Sequence, residues 1–91
     1  MIHAREDYNR IQDPALEDPS LLKEGATPIG KDEPVMLFRA QDKHFVEVLD
    51  YYQRLVEDDL EGDSRIRSAV YSHMGLALAW QEKNGCKSPD L

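Results

Sequence analysis

Residues 42–84, DKHFVEVLDYYQRLVEDDLEGDSRIRSAVYSHMGLALAWQEKN, decide the architecture. Phe45, Val48, Leu49, Tyr52, Leu55 and Val56 recur at the three- and four-residue spacing of an amphipathic helix, so the pattern predicts a helix over 43–60 with Asp42 as its N-cap. Gly62 breaks it within LEGDS. Ser64 is placed to cap a second helix over 65–84, in which Ile66, Ala69, Val70, His73, Met74, Ala77 and Trp80 share a face. Asn84-Gly85 is a natural stop, with Pro89 beyond it. Two helices joined by so short a turn predict an antiparallel αα-hairpin. Tyr52 belongs to the core stripe on this reading, Tyr51 points about 100° away from it, and His73 is expected to be a satisfied, buried histidine.

Working outward, residues 35–40 (VMLFRA) form a continuous apolar run preceded by Pro34, which suits a strand's first position. A single strand leaves backbone groups unpaired, so it requires a partner in the preceding arm, for which ATPIG is the candidate, or in a second subunit. The arm, residues 1–34, holds four of the five prolines and no sustained period, which predicts turns and short extended pieces. Within it, Tyr8 and Ile11 are anchors, and DPSLLKEG predicts one helical turn capped by Asp18 or Ser20 and stopped at Gly25. The fold class is therefore a helix-rich α+β protein, one small domain spanning 1–91. It has an irregular N-terminal arm, one or two short strands, the helix pair and a tail over 85–91.

Ninety-one residues bury a modest share of their surface, so self-association is expected. With 41% hydrophobic and 32% charged residues the composition is that of a folding chain rather than a disordered one. No run approaches the length of a membrane-spanning helix, and MIHAREDYNR lacks a basic region followed by an apolar stretch, which predicts a cytoplasmic protein. A lone cysteine, Cys86, fits a reducing compartment. The net charge of -7 is unevenly spread: residues 1–34 hold four bases and eight acids, 35–63 three and eight, 64–91 four and two. That field repels phosphates, so direct nucleic-acid binding is not expected, while a basic partner is.

Arg39, Gln41, Asp42 and His44 cluster where strand gives way to helix, and there a helix N-terminus and an arginine fork suit a small anion. Tyr51 would stack on its ring were the ligand a nucleotide. The plainer reading is structural: Asp42 caps the helix, Arg39 pairs with Asp32 or Glu33, and Gln41 is solvated. A capping carboxylate also occupies the place an anion wants. The acidic run Glu57, Asp58, Asp59, Glu61 and Asp63, with Asp50, lacks the glycine and carboxylate spacing of an EF-hand. It reads as a solvated turn balanced by Arg65 and Arg67, or as a surface for a basic partner. The three histidines are far apart and match no metal pattern, Cys86 has no local base, and no nucleophile-elbow, P-loop or dinucleotide motif occurs. No cofactor, metal or catalytic residue is assigned, and a non-enzymatic protein is expected.

Taken together, DYNRIQDP, the central DEPVMLFRAQD and the terminal WQEKNGCKSPDL resemble a family of small phage and prophage accessory proteins, over nearly the whole chain. The resemblance implies a mobile-element protein acting in a bacterial cytoplasm, in an anti-defence setting, and assigns no residue a role. Two strategies fit such a chain. One is a homo-oligomer that sequesters a small anionic or nucleotide-like ligand through Arg39, Gln41, Asp42, His44 and Tyr51. The other is occlusion of a basic, nucleic-acid-binding surface of a host protein by the acidic turn.

Overall fold

In the computed structural model, which describes residues 1–90, the chain divides into two compact units, Met1–Leu37 and a second beginning at Phe38. The first unit is held by backbone pairing between its two ends. Strand β1 (Ile2–His3) lies parallel to β2 (Pro34–Val35), in register Ile2 to Pro34 and His3 to Val35, and the Ile2 amide donates to the Glu33 carbonyl at 2.9 Å. The expected strand is thus much shorter than 35–40, and its partner is Ile2–His3 rather than ATPIG. Pairing is within the chain. Pro34 does open the strand, as its missing N–H allows.

Between the strands run three 3-10 turns, Glu6–Arg10, Pro14–Leu16 and Pro19–Leu21. The last two share one device, the tetrad Asp-Pro-x-Leu: Asp13 accepts from the Ala15 amide and Asp18 from the Ser20 amide, and each following proline takes the first helical position, where its missing N–H costs nothing. Asp18 is therefore the cap that the sequence proposed, and Gly25 adopts φ +81 beyond it. Tyr8 is buried, with the His3 ring edge-on at 6.3 Å between centroids and the Arg10 guanidinium 5.6 Å from its own ring centre. His3 donates from Nε2 to the Ile11 carbonyl at 2.8 Å. Asp13 carries the long-range tie, accepting the Ile29 amide on its second oxygen at 2.8 Å. These two amide hydrogen bonds, that from Ile29 foremost, hold its carboxyl below the ordinary carboxylate value.

The second unit is a pair of helices, α1 (Phe45–Asp58) and α2 (Ser64–Asn84), that pack on each other. Asp42 is not the N-cap of α1, a position His44 takes two residues on; it accepts the His44 amide at 2.8 Å, and its carbonyl accepts from Phe45, in the turn that leads into the helix. Asp63, not Ser64, caps α2 by accepting the Arg65 amide at 2.9 Å. Gly85 closes α2 at φ +77, ψ 175, a conformation open to glycine almost alone.

Helix contact uses one edge of each apolar stripe. Phe45, Gln53, Val70 and Ala77 are buried, and the Gln53 amide donates to the Tyr71 hydroxyl at 2.8 Å. Phe45 meets the His73 ring at 6.1 Å between centroids, and Glu57 pairs with Arg67 at 3.5 Å. Two expectations fail here. Tyr52 is half exposed, because Gln53 one residue on takes the contact position, and His73 is exposed, touching Phe45 from the margin rather than lying beneath it. No side chain among the described residues is completely buried. Among them, too, no helix is long and apolar enough to cross a membrane.

Candidate functional site

The junction ahead of α1 is stitched to the far end of α2. Lys87 donates its amide to the Gln41 carbonyl at 2.7 Å and accepts the Lys43 amide at 2.8 Å, a bridge in which Asp42 and Lys87 run parallel. The side chain of Gln81 donates to the Ala40 carbonyl at 2.9 Å. The amides of Asp42, Lys43, His44 and Phe45, the donors an anion would need at this helix entry, are engaged by the Arg39 carbonyl, the Lys87 carbonyl, the Asp42 carboxylate and the Asp42 carbonyl in turn. Of the five residues expected around a small anion, Gln41 and Asp42 serve this clasp.

His44 and Tyr51 come together elsewhere. His44 just ahead of α1 and Tyr51 within it line an open groove of about 530 Å³ with Glu47, Val48, Asp50 and Arg54. Arg39 is not on that lining. Arg54 contributes a cation and donates to Asp50 at 2.7 Å, but two carboxylates face one guanidinium, so the groove is not a positive pocket. Arg54 was not among the expected site residues. The signal for it was its position four residues after Asp50, a spacing that reads first as a helix-surface ion pair. A second depression, of about 440 Å³, lies in the first unit against Gln12, Asp13, Glu17 and Lys31.

The acidic turn divides into used and unused charges. Asp50, Glu57 and Asp63 are committed to Arg54, Arg67 and Arg65, and the Asp63 carboxylate raises the pKa of Arg65 further. Asp58, Asp59 and Glu61 have no ion pair among the described residues, although Asp59 accepts the Glu61 amide at 3.0 Å. Between them stands Leu60, 96% exposed. Composition hid this residue, since a leucine beside a helical run reads as part of the stripe. No group of three His, Cys, Asp or Glu side chains arranged to hold a metal ion exists among the described residues. Cys86 is exposed.

No protein-family model, curated protein or solved structure matches the chain.

Proposed function

We propose that this chain is a small binding protein that self-associates and captures its target stoichiometrically, without turnover, and that the target is a basic surface of another protein. The observation that carries this reading is the tip of the helix pair. A fully exposed leucine flanked in the chain by three acids without ion pairs combines an apolar knob with neighbours that select positive charge. The contacts Gln53 to Tyr71 and Glu57 to Arg67 ascend along α1 as they descend along α2, which supports an antiparallel pair with this turn at its end. Resemblance to phage and prophage accessory proteins supports a host protein in the bacterial cytoplasm as the target, and a basic nucleic-acid channel is the surface that such a tip would occlude.

A second reading, sequestration of a small anionic or nucleotide-like ligand, is favoured by the groove that unites His44, Tyr51 and Arg54 and is weakened by Glu47 and Asp50 on the same walls.

Native mass spectrometry of the protein purified from its own host separates the two. A stoichiometric protein partner, lost when Asp58, Asp59 and Glu61 are changed to lysine and released by added salt, supports occlusion. An added mass of small-molecule size, lost in Arg54→Ala and retained in the lysine variant, supports sequestration and overturns occlusion.

A further inference from the structure

We infer that Asn84-Gly85, where α2 ends, is a site of self-modification: the asparagine is converted slowly to aspartate and isoaspartate by its own backbone, at a rate held down by the clasp, and the conversion releases the clasp. The site is independent of the target proposed above. Of the two asparagines in the chain, only Asn84 is followed by glycine. That neighbour matters because the nucleophile is the amide nitrogen of the next residue, and a glycine leaves the approach to it free of any side chain. Asn9, by contrast, precedes Arg10 and has its Oδ1 occupied by the His3 amide at 3.2 Å. Asn84 and Gly85 are both exposed, so water and base reach them. The chemistry needs nothing else. A base takes the Gly85 amide proton, the nitrogen forms a bond to Asn84 Cγ, the Cγ–Nδ2 bond breaks, and ammonia leaves carrying a proton from water. Water then opens the cyclic imide, either at Cγ to give aspartate or at the Asn84 backbone carbonyl to give isoaspartate, in which the main chain runs through the side chain and is longer by one carbon.

The fold holds both reactants out of position. The Gly85 amide donates to the Gln81 carbonyl at 2.7 Å, and Asn84 Nδ2 is turned back along α2 to the Trp80 carbonyl at 3.0 Å. The nucleophile's proton and the leaving group are thus each engaged with the preceding turn, and bond formation requires an alignment of nitrogen and Cγ that this turn must open to supply. A free helix end frays at little cost, but this one is pinned on both sides of the dipeptide. Ahead of it the Gln81 side chain donates to the Ala40 carbonyl at 2.9 Å, and beyond it Lys87 bridges Gln41 and Lys43 at 2.7 and 2.8 Å. Opening the turn therefore means loosening the clasp. The products undo it further. Either one sets a carboxylate at the C-terminal end of α2, where the helix dipole is already negative. Isoaspartate also adds a backbone atom ahead of Lys87, the residue whose amide and carbonyl must meet Gln41 and Lys43 in register.

The test follows residue 84 of the full chain in mildly alkaline buffer by peptide mapping, which reads the exchange of amide for acid as a mass gain and separates aspartate from isoaspartate by retention. The same chain unfolded in urea supplies the unprotected rate, and Asn84→Gln, whose longer side chain closes an imide far more slowly, supplies the blank. Conversion is expected in both states, roughly tenfold or more slower in the native one, and Gln81→Met, which removes one hydrogen bond of the clasp, is expected to speed native conversion about fivefold, the worth of one such bond. Hydrogen exchange of the unmodified sequence, which needs no variant to fold, is expected to show the Lys43 and Lys87 amides losing protection as the converted fraction grows. An Asn84 that stays intact in the folded chain while it converts in urea overturns the site. Equal rates in the native and unfolded chain, or in wild type and Gln81→Met, overturn control by the clasp. Undiminished protection of Lys43 and Lys87 in fully converted protein overturns its release.

Discussion

Gln53 is the buried polar residue on which the two helices meet, and only one end of its amide is served. Its Nε2 donates to the Tyr71 hydroxyl, while Oε1 is buried with no partner among the described residues. An unserved buried carbonyl costs about 1–3 kcal/mol, and one neutral hydrogen bond returns about 1. Gln53→Met keeps the volume and removes the unserved group, so it is expected to stabilise the helix pair by about 1 kcal/mol, seen as a higher urea midpoint, whereas Gln53→Ala, which leaves a hole, lowers it. Asp13 gives the pH counterpart. Its folded pKa is depressed, so the unfolded chain binds the proton more tightly. The stabilisation is complete above the ordinary value of 3.8 and is lost as pH falls through the lower folded value. Exchange protection of the Ile29 amide should fall in that acid range, and Asp13→Asn should lose part of it at neutral pH, because an amide offers one accepting atom where the carboxylate uses two. Neither role was legible in the sequence. A glutamine beside two tyrosines looks like the wet side of a helix, and the partner of Asp13 lies sixteen residues on.

At the scale of elements, both helices could be read from spacing because many residues vote for each, while their ends turned on single side chains. Asp63 rather than Ser64 took the cap because its carboxylate reaches the Arg65 amide two residues on. The strand was overread for the opposite reason: an apolar run of six looks like a buried strand, yet of its residues only Val35, next to Pro34, finds a partner, and that partner is too short to leave any periodic trace. Two glycines of α2 make a paired prediction. Gly75 lies within the helix, and a methyl group added there meets nothing within 4 Å, so Gly75→Ala should stabilise by about 1 kcal/mol. Gly85 holds φ +77 and ψ 175, so Gly85→Ala should cost about 1–3 kcal/mol. Thermal melts of the two variants, moving in opposite directions, check both.

Across the whole molecule, the apolar stripes were visible in the sequence, but their width was assigned entirely to the internal contact. A pair of helices covers only one edge of each stripe. Sequence periodicity reports which residues avoid water and is silent on whether the same chain or another one covers them. This accounts for the misplacement of Tyr52 and His73, which periodicity put inside. The residues offered for a small anion are divided between two places for a related reason. Nearness along the chain joined Arg39, Gln41 and Asp42, while the fold spends the last two on the clasp to α2. If a second copy covers the open edges, folding and association are one equilibrium, and the thermal midpoint should rise steadily with protein concentration. A midpoint independent of concentration would contradict it.

The clasp has one more consequence. Residues 40–43 and Lys87 join the beginning of the helix pair to its end through backbone hydrogen bonds, while the exposed turn at Leu60 joins the helices covalently. The pair is in effect a ring closed once by the chain and once by the bridge. Cutting the ring at Leu60 would leave each half holding one side of the bridge and one side of the helix contact. The two fragments should find each other again, which makes this turn the natural place to divide the protein into separately expressed halves.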